Sequence, residues 1–370
     1  MRPTLLPNLR RLWRDGQTLQ IGSDPHKAVV LELARSDVVR LLDLLDGSCT
    51  APSVLGAAAR YGLSEDDARS VLDALRGSGL LLGAHELTPA GLPEGVRRRL
   101  TVEAAAIALR RRPTPANAPA LTNLPMPSNA PTPADVLRRR ANARVLVTGD
   151  GPLIAPVASA LAAAGVGHLD AALDGLAQAG DVLVGGLSAD DVQQPRAIAT
   201  AAAVSRAAPG TDLSPVRAGS APFVVQFGGR HPTALANRGL RLRNLPRLEV
   251  GIRQGTVVVG PLVRPHASPC SECLDLHRKD RDPAWPVLKA QLATAPDGDD
   301  EPCAHTTALA GAAYAAEEVL AYLDGGEVRT EAAIVEIARP GEQKRRIWTA
   351  HPRCDCRRRR RTANTGVRMT

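Results

Sequence analysis

An α/β protein in two parts is what the sequence predicts: a small α+β unit over residues 1–95 and a larger α/β domain over residues 141–356. A basic and Pro-rich linker (96–140) joins them and a basic tail (357–370) follows. Three observations predict this division. Seven prolines between Pro113 and Pro133 forbid regular structure and set the boundary. From Arg144 onward, ARVLVTGDGPLIAPVASALAAAGVGHL reads as a buried strand, a Gly turn and an Ala-rich helix, the opening of a dinucleotide-type, Rossmann-like βαβ unit. Finally, two cysteine pairs, Cys270-x-x-Cys273 and Cys354-x-Cys356, lie roughly eighty residues apart and together supply the four thiolates of one tetrahedral shell.

The elements of the first unit follow from local signals. TLQIGSD and AVVLEL are short strand candidates separated by a turn at Ser23-Asp24-Pro25. Ser36 is placed to cap a helix carrying Val38, Leu41, Leu42 and Leu45 on one face, with Gly47 at its end. Thr50 caps APSVLGAAARYG, and Ser64 with Asp67 forms a Ser-x-x-Asp box before a helix bearing Val71, Leu72 and Leu75. Leu80 to Leu82 give a closing strand. Short strands, three helices and a terminal hairpin make a winged helix. A DNA-reading winged helix needs basic and amide side chains on its recognition helix. Here that helix carries Glu65, Asp66, Asp67 and Asp73 against Arg69 and Arg76, a balance phosphate repels, so nucleic acid is not the expected partner.

Bulk properties narrow the class. The 370 residues suffice for two cores, and with 44% apolar but only 2% aromatic residues those cores must be built from Ala, Leu and Val. No segment has the roughly 18 unbroken apolar residues of a membrane span. Arg10 and Arg11 interrupt what would be a signal-peptide core, and six unevenly spaced cysteines fit a reducing interior, so a cytoplasmic protein is expected. The net charge of +8 is local: Arg339, Lys344, Arg345, Arg346, Arg353 and Arg357 to Arg361, against Glu342 and Asp355, account for all of it. The basicity belongs to the C-terminal segment and leaves the body neutral.

Two resemblances sharpen the reading. VVRLLDLLDGSCTAPSVLGAAARYGLSEDDARSVLDALRGSGLL is similar to the peptide-recognition domain of ribosomal-peptide maturation systems, the type seen in the quinone-cofactor peptide chaperone. That resemblance implies capture of a leader peptide as a strand added beside the sheet, at an edge near Leu19–Ile21 or Val29–Leu31, with the third helix as groove wall. The second half, with VLVTGDG, AAAGVGHL, GPLVRPHASPCSECLDLHRKDRDPAWPVLKAQL and a terminal HPRCDC, resembles the ThiF-type, ubiquitin-activating-enzyme-like superfamily. Within it, the actinobacterial cyclodehydratase-like branch shares the most of that pattern. The superfamily's helix carrying Gly311, Ala315 and Glu317 falls at Ala308 to Leu323. A homodimer is the state such relatives usually adopt.

The nucleotide machinery that the second resemblance implies is where this sequence departs. An active member needs a Gly-rich turn whose backbone amides approach the phosphates. Gly149 and Gly151 remain, but Pro152 lacks an N–H, Ile154 replaces a packing glycine and Asp150 adds negative charge. The ribose-binding acid that the resemblance implies falls near Leu173, with Asp174 one place late, and the catalytic lysine falls near Arg196. The later aspartate would lie in VVQFGGR, where no acid is present. Together these losses point to a fold that keeps its shape and has lost ATP. Cys303 is the one remaining thiol of this domain; a helix N-terminus would activate it as a nucleophile, and an incidental loop cysteine is the plainer reading.

Zinc is the ion expected for Cys270, Cys273, Cys354 and Cys356, because an all-thiolate shell suits it and leaves no open position. Asp275, His277, Arg278, Asp280, Arg281 and Asp282 read as its outer hydrogen-bonding shell, with Trp285 as an apolar anchor. The expected function is therefore a non-catalytic scaffold. It would bind a leader peptide or partner protein for a separate enzyme, which the family implies to be a YcaO-type cyclodehydratase. An ATP-dependent adenylating enzyme and a winged-helix regulator are the alternatives.

Overall fold

A computed structural model describes residues 1–33, 39–112, 130–217, 220–228, 244–293, 301–354 and 356. The chain divides into two compact units, Met1–Arg138 and Arg139–Thr370.

The first unit begins with β1 (Pro3–Leu5), β2 (Arg11–Trp13), β3 (Thr18–Ile21) and β4 (Val29–Glu32). Helices α1 (Val39–Asp43), α2 (Ala51–Ala58) and α3 (Glu65–Gly77) follow, then β5 (Leu81–Gly83), α4 (Ala84–Leu87) and α5 (Glu94–Arg111). The caps read from sequence form at two of the three helices. Thr50 accepts from the Ser53 N–H, while Ser64 accepts from the Asp67 N–H at 3.1 Å and donates to its carboxylate at 2.6 Å. Ser36 and Val38 lie outside the described residues. Leu41, Leu42, Leu45, Leu72 and Leu75 are buried in one core.

Strand order corrects one expectation and supports another. β2, β3 and β4 form an antiparallel meander with β3 in the middle, so Leu19–Ile21 is paired on both sides, with Trp13 and Leu31 flanking Leu19. Val29–Leu31 stays at an edge. β1 pairs instead with β5 across the unit. The stretch assigned to a linker, whose Arg97–Arg112 part reads as basic and partly helical, carries a helix at each end. α5 is continuous from Glu94 to Arg111 and buries Leu100, Ala104, Ile107 and Ala108 in the same core. Its arginines mask this in the sequence, because long basic side chains lay their stems along apolar surface and keep the charge in water. A further helix, α6 (Pro133–Asn142), starts inside the last of the prolines, with Thr132 and Asp135 exchanging side-chain and backbone hydrogen bonds at its start.

The second unit holds β6 (Arg144–Thr148), α7 (Ile154–Ala163), β7 (His168–Ala172), α8 (Arg196–Ala207), β8 (Phe223–Phe227), β9 (Arg247–Arg253) and β10 (Thr256–Val263). It continues with α9 (Ser271–Arg281), α10 (Trp285–Ala293), α11 (His305–Asp324), β11 (Ala333–Arg339) and β12 (Glu342–Ile347). One mixed sheet runs in the order β12-β11-β10-β9-β8-β6-β7, parallel from β7 to β9 and antiparallel from β9 to β12. The parallel half is the Rossmann-like part that the strand–turn–helix pattern predicts.

Alternate residues Val145 and Val147, Phe223 to Phe227, and Val257 and Val259 send one face of this sheet into a core with α7 and α11. Those helices are rich in alanine, and at one point the sheet comes very close. At Gly311 of α11 a Cβ would collide with Val257. Arg140, 1% exposed, ties this layer together: its guanidinium is bidentate to Asp324 at the end of α11 and donates to the Ala164 carbonyl. Among the described residues no helix is long and apolar enough to cross a membrane.

Candidate metal centre and nucleotide turn

The cysteines predicted as ligands meet in one cluster. β10 delivers the chain to a turn in which Cys270 is the N-cap of α9, and Cys273 follows one turn later with its N–H on the Cys270 carbonyl. Cys354 and Cys356 arrive on the segment that follows β12. All four sulfurs lie within 4.8 Å of one another. The Cys270–Cys273, Cys270–Cys354 and Cys273–Cys356 separations are 3.9, 3.5 and 3.5 Å. A tetrahedral shell of sulfurs about 2.3 Å from an ion puts them about 3.8 Å apart, so the donor set fits a single metal ion. Cys273 and Cys354 are buried and the other two half-buried.

Electrostatics agree with a cation. Burial pushes the Cys354 thiol up, and burial together with its Cys273 neighbour pushes Cys356 up to about 11. Cys273 is held below an ordinary thiol: burial opposes its ionisation, but hydrogen bonds at the His351 and Cys270 backbone outweigh it. A divalent ion bound among the sulfurs would remove the repulsion between neighbouring thiolates.

The charged run after the cysteines grips the returning tail. Asp280 pairs with His351 Nε2 at 2.8 Å and with Arg353. His351 Nδ1 accepts from the Arg353 N–H, which leaves the proton on Nε2 for Asp280. The His351 hydrogen bond, followed by the Arg353 charge, holds the Asp280 carboxyl below its usual range. His277 Nε2 meets the Thr349 carbonyl at 2.9 Å, and the Arg281 guanidinium stacks 5.0 Å over Trp348. Trp348 itself is buried against Val258, Leu274 and Ile334. Trp285 anchors less by burial than by its indole N–H, which donates to Asp275 at 3.1 Å, with Arg278 over its ring. His351 is a residue that reading the sequence passed over; its signal was its place three residues before Cys354 in HPRC.

The turn after β6 is built differently. Gly149 (φ 109°) and Gly151 (φ 100°) both use the left-handed region, and a Cβ at Gly149 would collide with the Phe227 carbonyl. That close approach alone accounts for the first glycine. The Asp150 carboxylate lies against Gly228 at the end of β8. α7 then opens at Ile154, which is buried, with no side-chain cap. Pro152 removes one amide before the helix, and Pro156, in its first turn and missed by the sequence reading, removes another. Gly186 packs against Pro156 so closely that a Cβ there would collide with it.

The segment between β7 and α8 closes over this helix start. Ala177 and Leu187 pack with Ala155 of α7 and Ala199 and Ala203 of α8. Two capped turns ten residues apart hold the segment. Asp181 accepts from the Gln178 N–H at 2.9 Å and pairs with Arg196, and Asp191 accepts from the Ser188 N–H at 2.8 Å and pairs with Arg206. Both carboxylates are buried. Arg196, the position where the resemblance implies a lysine, is thus committed to Asp181 at 3.2 Å and to the Asp174 carbonyl at 3.2 Å. Leu173 packs partly buried against the main core. The sequence signal for these turns was the repeated cap-x-x-Asp spacing, Gln178 to Asp181 and Ser188 to Asp191.

Cys303 stands apart from the cluster. Its sulfur lies 3.7 Å from the Gly255 carbonyl, and burial pushes its thiol up, the reverse of an activated nucleophile.

No protein-family model matches the chain, and no curated protein matches it. Solved structures do. Escherichia coli MccB with ATP superposes with a TM-score of 0.59 at 15% identity, covering 96% of this chain and 99% of that one. The microcin C7 biosynthetic enzyme MccB in complex with N-formylated MccA gives 0.57 at 16% identity, over 96% and 100%. A heterocyclase in complex with substrate and cofactor gives 0.52 at 14% identity, over 94% of this chain and 38% of the other. The chain therefore shares the fold of MccB along nearly its whole length, and the heterocyclase contains a similar arrangement as part of a longer chain.

Proposed function

We propose that this chain is a ThiF-like scaffold that presents a leader peptide or partner protein to a separate modifying enzyme, stapled by a structural zinc ion and without nucleotide chemistry of its own. One observation carries the reading. Around the start of α7, Pro152 and Pro156 supply no amide, Asp150 supplies a carboxylate, and the segment holding Gly186 packs onto the first turn. A triphosphate needs N–H donors and positive charge at such a place. Zinc is assigned because four thiolates suit a soft tetrahedral ion and leave it no open position, which makes the role structural.

In this reading the first unit is a winged-helix peptide-recognition domain, and the free edge at Val29–Leu31 receives the peptide as an added strand. Support comes from MccB being found with MccA and the heterocyclase with its substrate. A YcaO-type cyclodehydratase is the enzyme the scaffold would serve. The second reading, an adenylating enzyme, is favoured by one finding, the similarity to MccB with ATP.

Calorimetry on the full-length protein separates the two. Mg-ATP should show no binding at millimolar concentration; a dissociation constant weaker than about 1 mM corresponds to roughly 4 kcal/mol or less, little for a triphosphate. A precursor peptide encoded beside the chain should bind saturably, with no ATP–pyrophosphate exchange. Tight Mg-ATP binding would turn the assignment to the adenylating enzyme.

A further inference from the structure

The three-stranded sheet of the first unit has two edges, and the one opposite Val29–Leu31 is β2. The register fixes which of its backbone groups face outward. Gly22 donates to the Arg10 carbonyl at 2.8 Å, Arg14 donates to the Thr18 carbonyl at 2.9 Å, and Leu12 stands opposite Gln20. Hydrogen-bonded positions alternate along an antiparallel pair, so Arg10, Leu12 and Arg14 bond to β3. The N–H and C=O groups of Arg11 and Trp13 therefore point away from the sheet, at the spacing an added strand uses.

This edge carries large apolar side chains in the open, which edge strands ordinarily avoid. Leu12 is 41% exposed and Trp13 is 44% exposed. Trp13 extends the face of buried Leu19, while Leu12 lies on the other face between Arg10 and Arg14. The charge is positive. Arg11 is neutralised by Asp43, but Arg10 has no ion-pair partner among the described residues and Arg14 bonds the neutral Gln20 at 2.9 Å. Asp15, the nearest acid in sequence, turns its carboxylate to the Gln17 and Thr18 N–H groups.

We infer that the β2 edge docks an extended segment of a partner protein, apolar at its centre and with a carboxylate at each end, as a fourth strand of this sheet. The carboxylates meet Arg10 and Arg14, and the central side chains cover Leu12 and Trp13. A second copy of this chain does not suit the edge, because self-pairing sets arginine against arginine. The Val29–Leu31 edge stays free throughout, so the inference stands apart from the leader-peptide reading.

The experiment uses the full-length protein and two capped peptides, Glu-Val-Leu-Val-Glu and its charge-reversed form Lys-Val-Leu-Val-Lys. Calorimetry should show the acidic probe binding saturably and about tenfold more tightly than the basic one, since two attractions become two repulsions. The Trp13 indole N–H resonance, identified by its loss in Trp13→Ala, should shift as the acidic probe is added. The double variant Arg10→Glu, Arg14→Glu should invert the preference, so that the basic probe binds more tightly. Should thermal melting show that variant unfolded, Trp13→Ala decides: it should weaken the acidic probe about tenfold, as the loss of an aromatic anchor. No saturation by about 2 mM acidic probe overturns the site. So does a preference that the folded double variant leaves unchanged, or undiminished binding by Trp13→Ala. Tighter binding of a short DNA duplex than of the acidic probe, lost in the double variant, would assign the arginines to nucleic acid instead. A dimer in sedimentation that Trp13→Ala dissolves would give the edge to a second copy and likewise overturn the inference.

Discussion

The cysteine cluster and the turn after β6 belong to one unit and carry equally recognisable motifs, yet their surroundings are organised in opposite directions. Around the cysteines, neighbouring groups serve the sulfurs. The N-cap of α9 presents Cys270, the His351 backbone hydrogen-bonds Cys273, and Asp280 with His277 holds the strand that brings Cys354. Around the turn, neighbouring groups serve the chain itself. Gly149 makes room for the Phe227 carbonyl, Arg196 neutralises Asp181, and Gly186 settles on Pro156. A ligand site persists where donors stay aimed at a guest. It closes where the same positions are committed to internal packing.

Predictions that break or sharpen this contrast run from large to small. Cys354→Ser should abolish zinc binding and destabilise the second unit by several kcal/mol, since a structural metal contributes its binding free energy to folding. Elemental analysis and denaturant melts check this; full zinc retention in that variant would remove the metal side of the contrast.

The paired arginines test the other side. Arg196→Ala should cost roughly 3 kcal/mol, because it leaves the buried Asp181 carboxylate without its countercharge. Arg206→Ala should cost under about 1 kcal/mol, because the Arg206 side chain is 53% exposed against 15% for Arg196, and solvent screens the pair. Equal costs in chemical denaturation would show that the segment does not depend on Arg196 as described.

The smallest effect is in pH. The Asp191 carboxyl is held below its ordinary range, chiefly by the Ser188 N–H. Its contribution to stability is therefore complete above the unfolded carboxyl pKa of about 4 and is lost as pH falls through the lower folded value. Asp191→Asn should flatten this part of the acid limb of a stability–pH curve and change nothing near pH 7 in its slope. An unchanged acid limb would place the dependence on other carboxylates.

What the sequence disclosed divides along the same line. The cysteine set was legible because ligand chemistry is carried by residue type and short spacing, and two pairs sufficed to name the four thiols that meet. Helix caps at Thr50 and Ser64 were legible for the same local reason. The edge at Leu19–Ile21 was misplaced because a strand's position in a sheet depends on partners far along the chain, here β2 and β4. The Arg97–Arg112 stretch could be read as basic and partly helical, but its arginines hid that α5 packs into the core, since their charge says nothing about where their stems lie. At the turn after β6, Pro152 and Arg196 could be read from the sequence, but the packing around them could not. The segment from Leu173 to Pro195 has neither helical nor strand periodicity, so its packing onto α7 could not be read from pattern.

The twin capped turns of that segment bear on how firmly the start of α7 is covered. Asp181 and Asp191 each fix a separate turn, and each is clamped by its own arginine on α8. Substituting Pro152 or Asp150 back toward a phosphate-binding turn would restore donors in sequence and leave the cover in place. Opening that place to a phosphate is thus a cooperative rearrangement of a whole loop, in which no single-residue step takes effect until the two anchors have let go together.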